Sequence, residues 1–181
     1  MNTFKKTNAY LHEQDIIKKD IKKHKSILYG AQALNTHMGL RARPTKDWDI
    51  FNTRPKKTVQ RVERKLDNIS GGNNYFTKQS DFHKDTFKLY GNGLDGVPKT
   101  KDDRGIMDVT RTPKGTKFNM FGGMRVVPLS STAKDKRKSL ADKQFVFRHP
   151  KDKEDLTRIN LYNKMKKDKL MRNFLIKWID N

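Results

Sequence analysis

Asp47 and Asp49 straddle Trp48 in the stretch Thr45-Lys46-Asp47-Trp48-Asp49-Ile50-Phe51. Residues i and i+2 of a β-strand project from one face. A strand over 47–51 therefore turns both carboxylates the same way and sends Trp48 and Ile50 into a core. Two carboxylates this close repel unless a cation lies between them or one is protonated. Mg²⁺ suits the position, because it takes hard oxygen ligands and shares its shell with substrate phosphates. A third carboxylate, Asp108, lies in the apolar run Gly105-Ile106-Met107-Asp108-Val109-Thr110. If the two strands are neighbours, three carboxylates converge as a metal-assisted phosphoryl-transfer site requires. At this point a solvated turn, or ion pairs to Lys46 or Arg43, accounts for the two aspartates equally well.

The elements that must position these residues are legible from periodicity. A helix is expected over Thr7–Lys23, with Tyr10, Gln14, Ile17 and Ile21 on one face and Lys18, Lys19, Lys22 and Lys23 on the other. The apolar run Ser26-Ile27-Leu28-Tyr29 ends at Gly30, and Ala31–Met38 reads as a helix stopped by Gly39. A strand, Gly30 and a helix in succession place free backbone N–H groups where a phosphate can bind. After the basic loop Arg41-Ala42-Arg43-Pro44 and the aspartate strand comes the clearest helix. Pro55 stands in its first turn, Val59, Val62, Leu66 and Ile69 form its stripe, and Gly71-Gly72 ends it. Strands are expected over Tyr75–Gln79, Thr86–Tyr90 and Gly105–Thr110. Residues 113–127 read as irregular, and Ser130–Lys143 and Lys151–Trp178 as helical, the last with a stripe of Leu170, Met171, Phe174, Leu175, Trp178 and Ile179. The order is that of an α/β or α+β fold.

Ile27–Asn35 (ILYGAQALN) followed by TKDWDIF resembles the nucleotidyltransferase (polymerase β-like) superfamily, most closely its AbiEii-type and related small bacterial and viral members. The resemblance implies a mixed sheet flanked by helices with a C-terminal helical segment. It implies that Gly30 and Ala31 form the phosphate-side turn, that Asp47 and Asp49 are paired metal ligands, and that Asp108 is the third carboxylate. Downstream, VPLSSTAKDKRKSLADKQFVFRHPKDKEDLTRI resembles the helical segment that follows the catalytic sheet in those proteins. There Lys134 (or Lys138), Arg148 and Lys151 would touch triphosphate, Asp155 would orient one of these cations, and Asp152 and Leu156 complete the pattern. The likeness covers roughly residues 25 to 160. It departs from the family in having Ala31 where Gly or Ser is common, a long basic Arg41–Lys46 loop, and a long Asp49–Asp108 segment containing Gly-Asn-Gly-Leu-Asp-Gly. A core over 1–128 carrying a helical segment over 129–181 is the expected division.

Bulk composition narrows the classes of function. The 181 residues hold 41 Lys and Arg against 20 Asp and Glu, a net charge of +21. The pI is near 10.1. Such a field attracts polyanions, so nucleic acid or another polyanion, such as a phosphate-rich substrate, is the expected partner. A hydrophobic share of 33% and a mean hydropathy of −0.98 imply a modest core beneath a charged surface. The absence of cysteine excludes disulfides and thiolate metal sites. Neither a signal peptide nor a membrane span is apparent, so an intracellular setting, cytoplasm or virion, is expected. Gly91-x-Gly93-x-x-Gly96 lacks the following helix of a dinucleotide fingerprint and reads as a hairpin loop. The five histidines show no metal-binding spacing, and His37 reads as a packing or hydrogen-bonding residue. The run Lys164–Lys169 is a solvated helix face or a phosphate contact, and the Phe174–Ile179 stripe a docked face or a protein interface. The expected activity is transfer of a nucleotidyl group from an NTP, with Mg²⁺ or Mn²⁺, to a nucleic-acid or protein acceptor. The rival is a non-catalytic, basic packaging protein, a virion or chromatin component, on the same fold.

Overall fold

The computed structural model describes residues 3–38, 45 and 47–168. The basic loop around Arg41 and Arg43, Lys46, the Tyr10 side chain and the stripe from Leu170 to Ile179 lie outside the described residues. A seven-stranded mixed sheet forms the centre, ordered β3-β4-β5-β2-β1-β7-β6. Its strands are β1 (Ile27–Tyr29), β2 (Trp48–Asn52), β3 (Tyr75–Gln79), β4 (Thr86–Gly91), β5 (Arg104–Arg111), β6 (Asn119–Phe121) and β7 (Met124–Val126). The β2–β5 and β1–β7 pairs are parallel and the others antiparallel.

Helices α1 (Thr3–Lys23) and α3 (Pro55–Ser70) cover one face. There Ile17, Ile21, Val59, Val62 and Leu66 meet Leu28, Trp48, Ile50, Leu89, Met107 and Val109 in one buried cluster. Trp48 and Ile50 thus point into the core as the alternation requires, and the Trp48 indole N–H donates to Gln14 at 2.7 Å. Asp20, buried on α1, accepts two bonds from the Arg61 guanidinium and one from Lys65 of α3. Helix α3 begins at Pro55 and ends at Gly71, whose φ of +74° lets its N–H reach the Asp67 carbonyl. The Asp67 carboxylate then takes the Asn74 and Tyr75 amides, fixing the turn into β3.

A second, smaller cluster joins α2 (Gly30–Met38) to α4 (Leu129–Ala141) and α5 (His149–Lys167): Leu34, Met38, Ala133, Ile159 and Tyr162. The Tyr162 hydroxyl donates to the His37 carbonyl at 2.9 Å, and the His37 Nε2–H donates to the Val127 carbonyl at 2.7 Å. His37 thus both hydrogen-bonds and packs, its ring meeting Phe121 edge-on, as expected.

The structure corrects one reading. Residues 113–127 are not wholly irregular, since β6 and β7 form a hairpin turning at Gly122-Gly123, both at positive φ. The two-residue glycine turn is the type that suits strand twist, and the strands are too short to show a period. In the gap between the two expected C-terminal helices runs a 3₁₀ stretch, Lys143–Arg148, with the Asp142 side chain before it accepting from the Gln144 amide. Gly91, Gly93 and Gly96 belong to the end of β4 and the loop after it, and no helix follows them. Among the described residues, no helix is long and apolar enough to cross a membrane.

Candidate active site

On the sheet face away from α1 and α3, register brings the predicted residues into one row. Asp49 of β2 lies directly beside Asp108 of β5, Asp108 beside Lys88 of β4, and Asp49 beside Tyr29 of β1. Neighbouring strands are about 4.8 Å apart, so the two carboxylates are within reach of one cation or a bridged pair. Asp47 precedes the strand and accepts from the Thr45 hydroxyl at 3.2 Å.

Gly30 sits against this row. It joins β1 to α2 with a φ of +68°, and a Cβ built on it would stand 2.1 Å from Asp49 Oδ2. The glycine is needed twice: for the left-handed backbone that turns the chain into α2, and for the space that the Asp49 carboxylate occupies. Ala31, buried behind it, opens the first turn of the helix.

Electrostatics marks Asp49 as the strained member. Burial, then the charges of Asp47 and Asp108, push its carboxyl up to about 7. Arg148 and Lys88 act in the opposite direction. Burial also raises the Tyr29 hydroxyl, with the Asp49 charge second. That ring stacks on Phe51 at 4.0 Å and its hydroxyl shares a hydrogen bond with Thr110, so it walls the site. Lys88 Nζ lies 2.8 Å from Asp108 Oδ2. Burial works against the Lys88 charge, but its bond to Asp108 holds the ammonium above its usual range.

The cations divide. Arg148, at the end of the 3₁₀ stretch, is close enough to weigh on both Asp49 and Asp152. It also lines a cavity of about 200 Å³ with Asp135, Lys138, Ser139, Asp142 and Phe145. Lys134 and Lys151 are exposed on α4 and α5, and neither is among the charges that weigh most on Asp49. Asp155 is fully buried, and its partner is a lysine that the spacing did not single out. Lys136 Nζ lies 2.6 Å from Asp155 Oδ2 and 2.8 Å from Asp152 Oδ1. The signal was available in helical phase: Thr132, Ala133 and Lys136 face inward, which leaves Lys134 outward. Lys88 was missed for a different reason, because only the strand order reveals it as the neighbour of Asp108.

Among the described residues, no three acidic, histidine or cysteine side chains already stand as a metal cage. The donor chemistry nonetheless fits a hard divalent cation, since the ligands are all oxygen and two are in register. Their repulsion, which burial adds to in raising Asp49, is what such a cation relieves.

Solved structures give the fold its context. A Megavirus polyadenylate synthase matches over 84% of this chain with a TM-score of 0.64 at 18% identity. This is a nucleotidyltransferase fold. The chain spans 31% of the length of that viral protein. Two Helicobacter pylori proteins align more loosely. One, described as a candidate nucleotidyltransferase, has a TM-score of 0.46 at 17% identity, over 70% of this chain and 56% of its own. The other, JHP933, has a TM-score of 0.48 at 16% identity, over 75% and 58%. No family model and no curated protein sequence matches the chain. On this nucleotidyltransferase fold the row of Asp49 and Asp108, with Gly30 packed against Asp49, is the feature that can do chemistry.

Proposed function

We propose that this chain transfers a nucleotidyl group from a nucleoside triphosphate to an acceptor hydroxyl. The observation that carries the reading is the in-register pair Asp49 and Asp108, with Gly30 packed against the Asp49 carboxylate. Asp47, Asp49 and Asp108 would hold Mg²⁺ or Mn²⁺, which when bound neutralises charge on the triphosphate and on the departing pyrophosphate. The rest falls to the chain itself. The acceptor oxygen forms a bond to the α-phosphorus as the bond to the bridging α–β oxygen breaks, releasing pyrophosphate. Asp108, aimed by Lys88, takes the hydroxyl proton. Arg148 faces the same patch and offers its guanidinium to the triphosphate, in the manner of charge-neutralising cations at phosphoryl-transfer sites. Tyr29 and the stacked Phe51 exclude water from the side of β1.

The likeness to a polyadenylate synthase makes ATP and a nucleic-acid 3′ end the first substrates to try. Labelled NTPs, Mg²⁺ or Mn²⁺ and oligonucleotide or protein acceptors are incubated with the wild type and with Asp49→Ala. Transfer by the wild type that falls at least about a hundredfold in the variant is expected. No transfer under any condition, with equal salt-dependent nucleic-acid binding by both proteins, would overturn the reading.

A further inference from the structure

The carboxylate row does not end at Lys88. On the same sheet face β4 and β3 continue outward with two cross-strand pairs, Lys88 opposite Lys78 and Tyr90 opposite Phe76. Their orientation follows from what the alternate residues touch. Tyr75 reaches Glu13 of α1, Thr77 donates to Glu63 of α3, and Leu89 is buried in the core. Phe76, Lys78, Lys88 and Tyr90 therefore project away from those helices, on the side of Asp108. The Phe76 and Tyr90 rings lie nearly parallel, 13° apart with centroids at 5.3 Å, and both are only half-buried. Gly105 of β5 leaves room beside them, since a Cβ there would lie 4.0 Å from the Tyr90 ring. Phe82, at the tip of the same hairpin, is 88% exposed.

A cross-strand aromatic pair stabilises any sheet to some extent. Here it adjoins a reactive carboxylate, flanked by lysines, in a chain of net charge +21. Three carboxylates beside the platform are paired, Asp81 with Lys78, Asp85 with Arg111 and Asp108 with Lys88, and Lys84 near the hairpin tip is exposed. Aromatic faces interleaved with cations match unpaired bases joined by phosphates, because every base has a π-face and every linkage a charge. A duplex hides its base faces, and a folded protein acceptor gives no reason for stacked rings next to lysines.

We propose that Phe76 and Tyr90 form the platform on which a single-stranded nucleic-acid acceptor stacks, delivering its terminal hydroxyl to Asp108. This rests on the nucleotidyl-transfer reading for the identity of the site, but the binding it claims is measurable without turnover. Fluorescein-labelled ten-residue oligoribonucleotides and oligodeoxynucleotides are titrated, by anisotropy, against wild type, Phe76→Ala, Tyr90→Ala and the conservative Tyr90→Phe. Phe76→Leu and Tyr90→Leu keep bulk on the sheet while removing the π-face, so they remain informative if the alanine variants unfold. Each ring-removing variant should lose about tenfold to a hundredfold in affinity for at least one single strand. Tyr90→Phe should hold near wild type, and duplex binding should be unchanged throughout. Unchanged affinity for both single strands in the leucine variants overturns the platform, as does label transferred to protein and never to oligonucleotide. Binding of a fluorescent NTP, followed in parallel, separates the two readings: Asp49→Ala bears on the transfer site and the ring variants on the acceptor alone.

Discussion

At Gly30 a single hydrogen atom decides whether the site exists. A methyl group there meets Asp49 Oδ2 at 2.1 Å and also forces an L-residue into the left-handed region, which costs about 1–2 kcal/mol. Gly30→Ala should leave the sheet folded but displace the carboxylate. The expected result is a circular dichroism spectrum close to wild type with transfer activity reduced at least about a hundredfold, since small misplacements at a reacting centre cost that much. Asp49 carries a second prediction, through its protonation. Its carboxyl titrates near about 3.9 in an unfolded chain and is pushed up to about 7 in the metal-free fold. Between those values the folded state keeps a proton that the unfolded state has released, so stability falls as pH rises and the loss is complete above about 7. Measured against Asp49→Asn, wild-type urea stability in EDTA should decline from pH 4.5 to 8, a loss of the order of 2–4 kcal/mol; His24 and His37, whose lowered values act with the opposite sign, are common to both proteins. Excess Mg²⁺ should flatten that decline, and Asp49→Asn should be the more stable protein at pH 8 without metal. A wild-type stability that rises relative to Asp49→Asn over this range would contradict the carboxylate crowding. The residue types of this row were readable in the sequence, because strand alternation fixes which way Asp49 and Trp48 point. Lys88 was not readable, since its relation to Asp108 exists only once β4 and β5 are paired.

Elements hold the row in place through buried charge as much as apolar contact. Lys136 of α4 is clasped by Asp152 and Asp155 of α5, all three almost free of solvent. Removing one partner of such a cluster leaves uncompensated charge and costs about 3–5 kcal/mol. Lys136→Met should therefore destabilise by that order at pH 7, with amide exchange in α5 accelerating before that in the sheet. The penalty should shrink as pH falls, because Asp152 loses the lysine bond that helps hold its carboxyl below the usual range. Failure of α5 to loosen would mean that the apolar cluster of Leu34, Ala133, Ile159 and Tyr162 is sufficient by itself. Lys134 and Lys138, the two candidates for a triphosphate contact, are both exposed on α4, while Lys136 between them is turned inward. Lysines alternate at 134, 136 and 138, and composition does not distinguish them. Helical phase does, but only after the inward face has been fixed by Ala133. The hairpin of β6 and β7 escaped for want of length, as three residues on either side of Gly122-Gly123 show no period. The long amphipathic α3, with Pro55 at one end and Gly71 at the other, was legible except at Ile69, which the last turn leaves exposed while Val59, Val62 and Leu66 are buried.

For the whole molecule the dominant quantity is the net charge of +21, and it acts differently from the platform beside the site. A diffuse cationic surface binds polyanions by releasing their counterions, and log K then falls linearly with log salt. For a single strand neutralised at about five phosphates the slope is about −3.5, so affinity drops roughly a hundredfold between 50 and 200 mM salt. Stacking of bases on Phe76 and Tyr90 releases no counterions. Removing those rings should lower affinity by the same factor at every salt concentration, leaving the slope unaltered. Replacing exposed cations should do the reverse: Lys78→Gln and Lys84→Gln together should make the slope shallower by about 1–1.5 while base stacking persists. Anisotropy titrations of one oligonucleotide at four salt concentrations, for wild type and both sets of variants, resolve the two contributions. If the ring variants changed the slope as the lysine variants do, Phe76 and Tyr90 would be supporting the charged surface rather than holding bases. The field would then act alone, gathering nucleic acid over the molecule without presenting an end to Asp108.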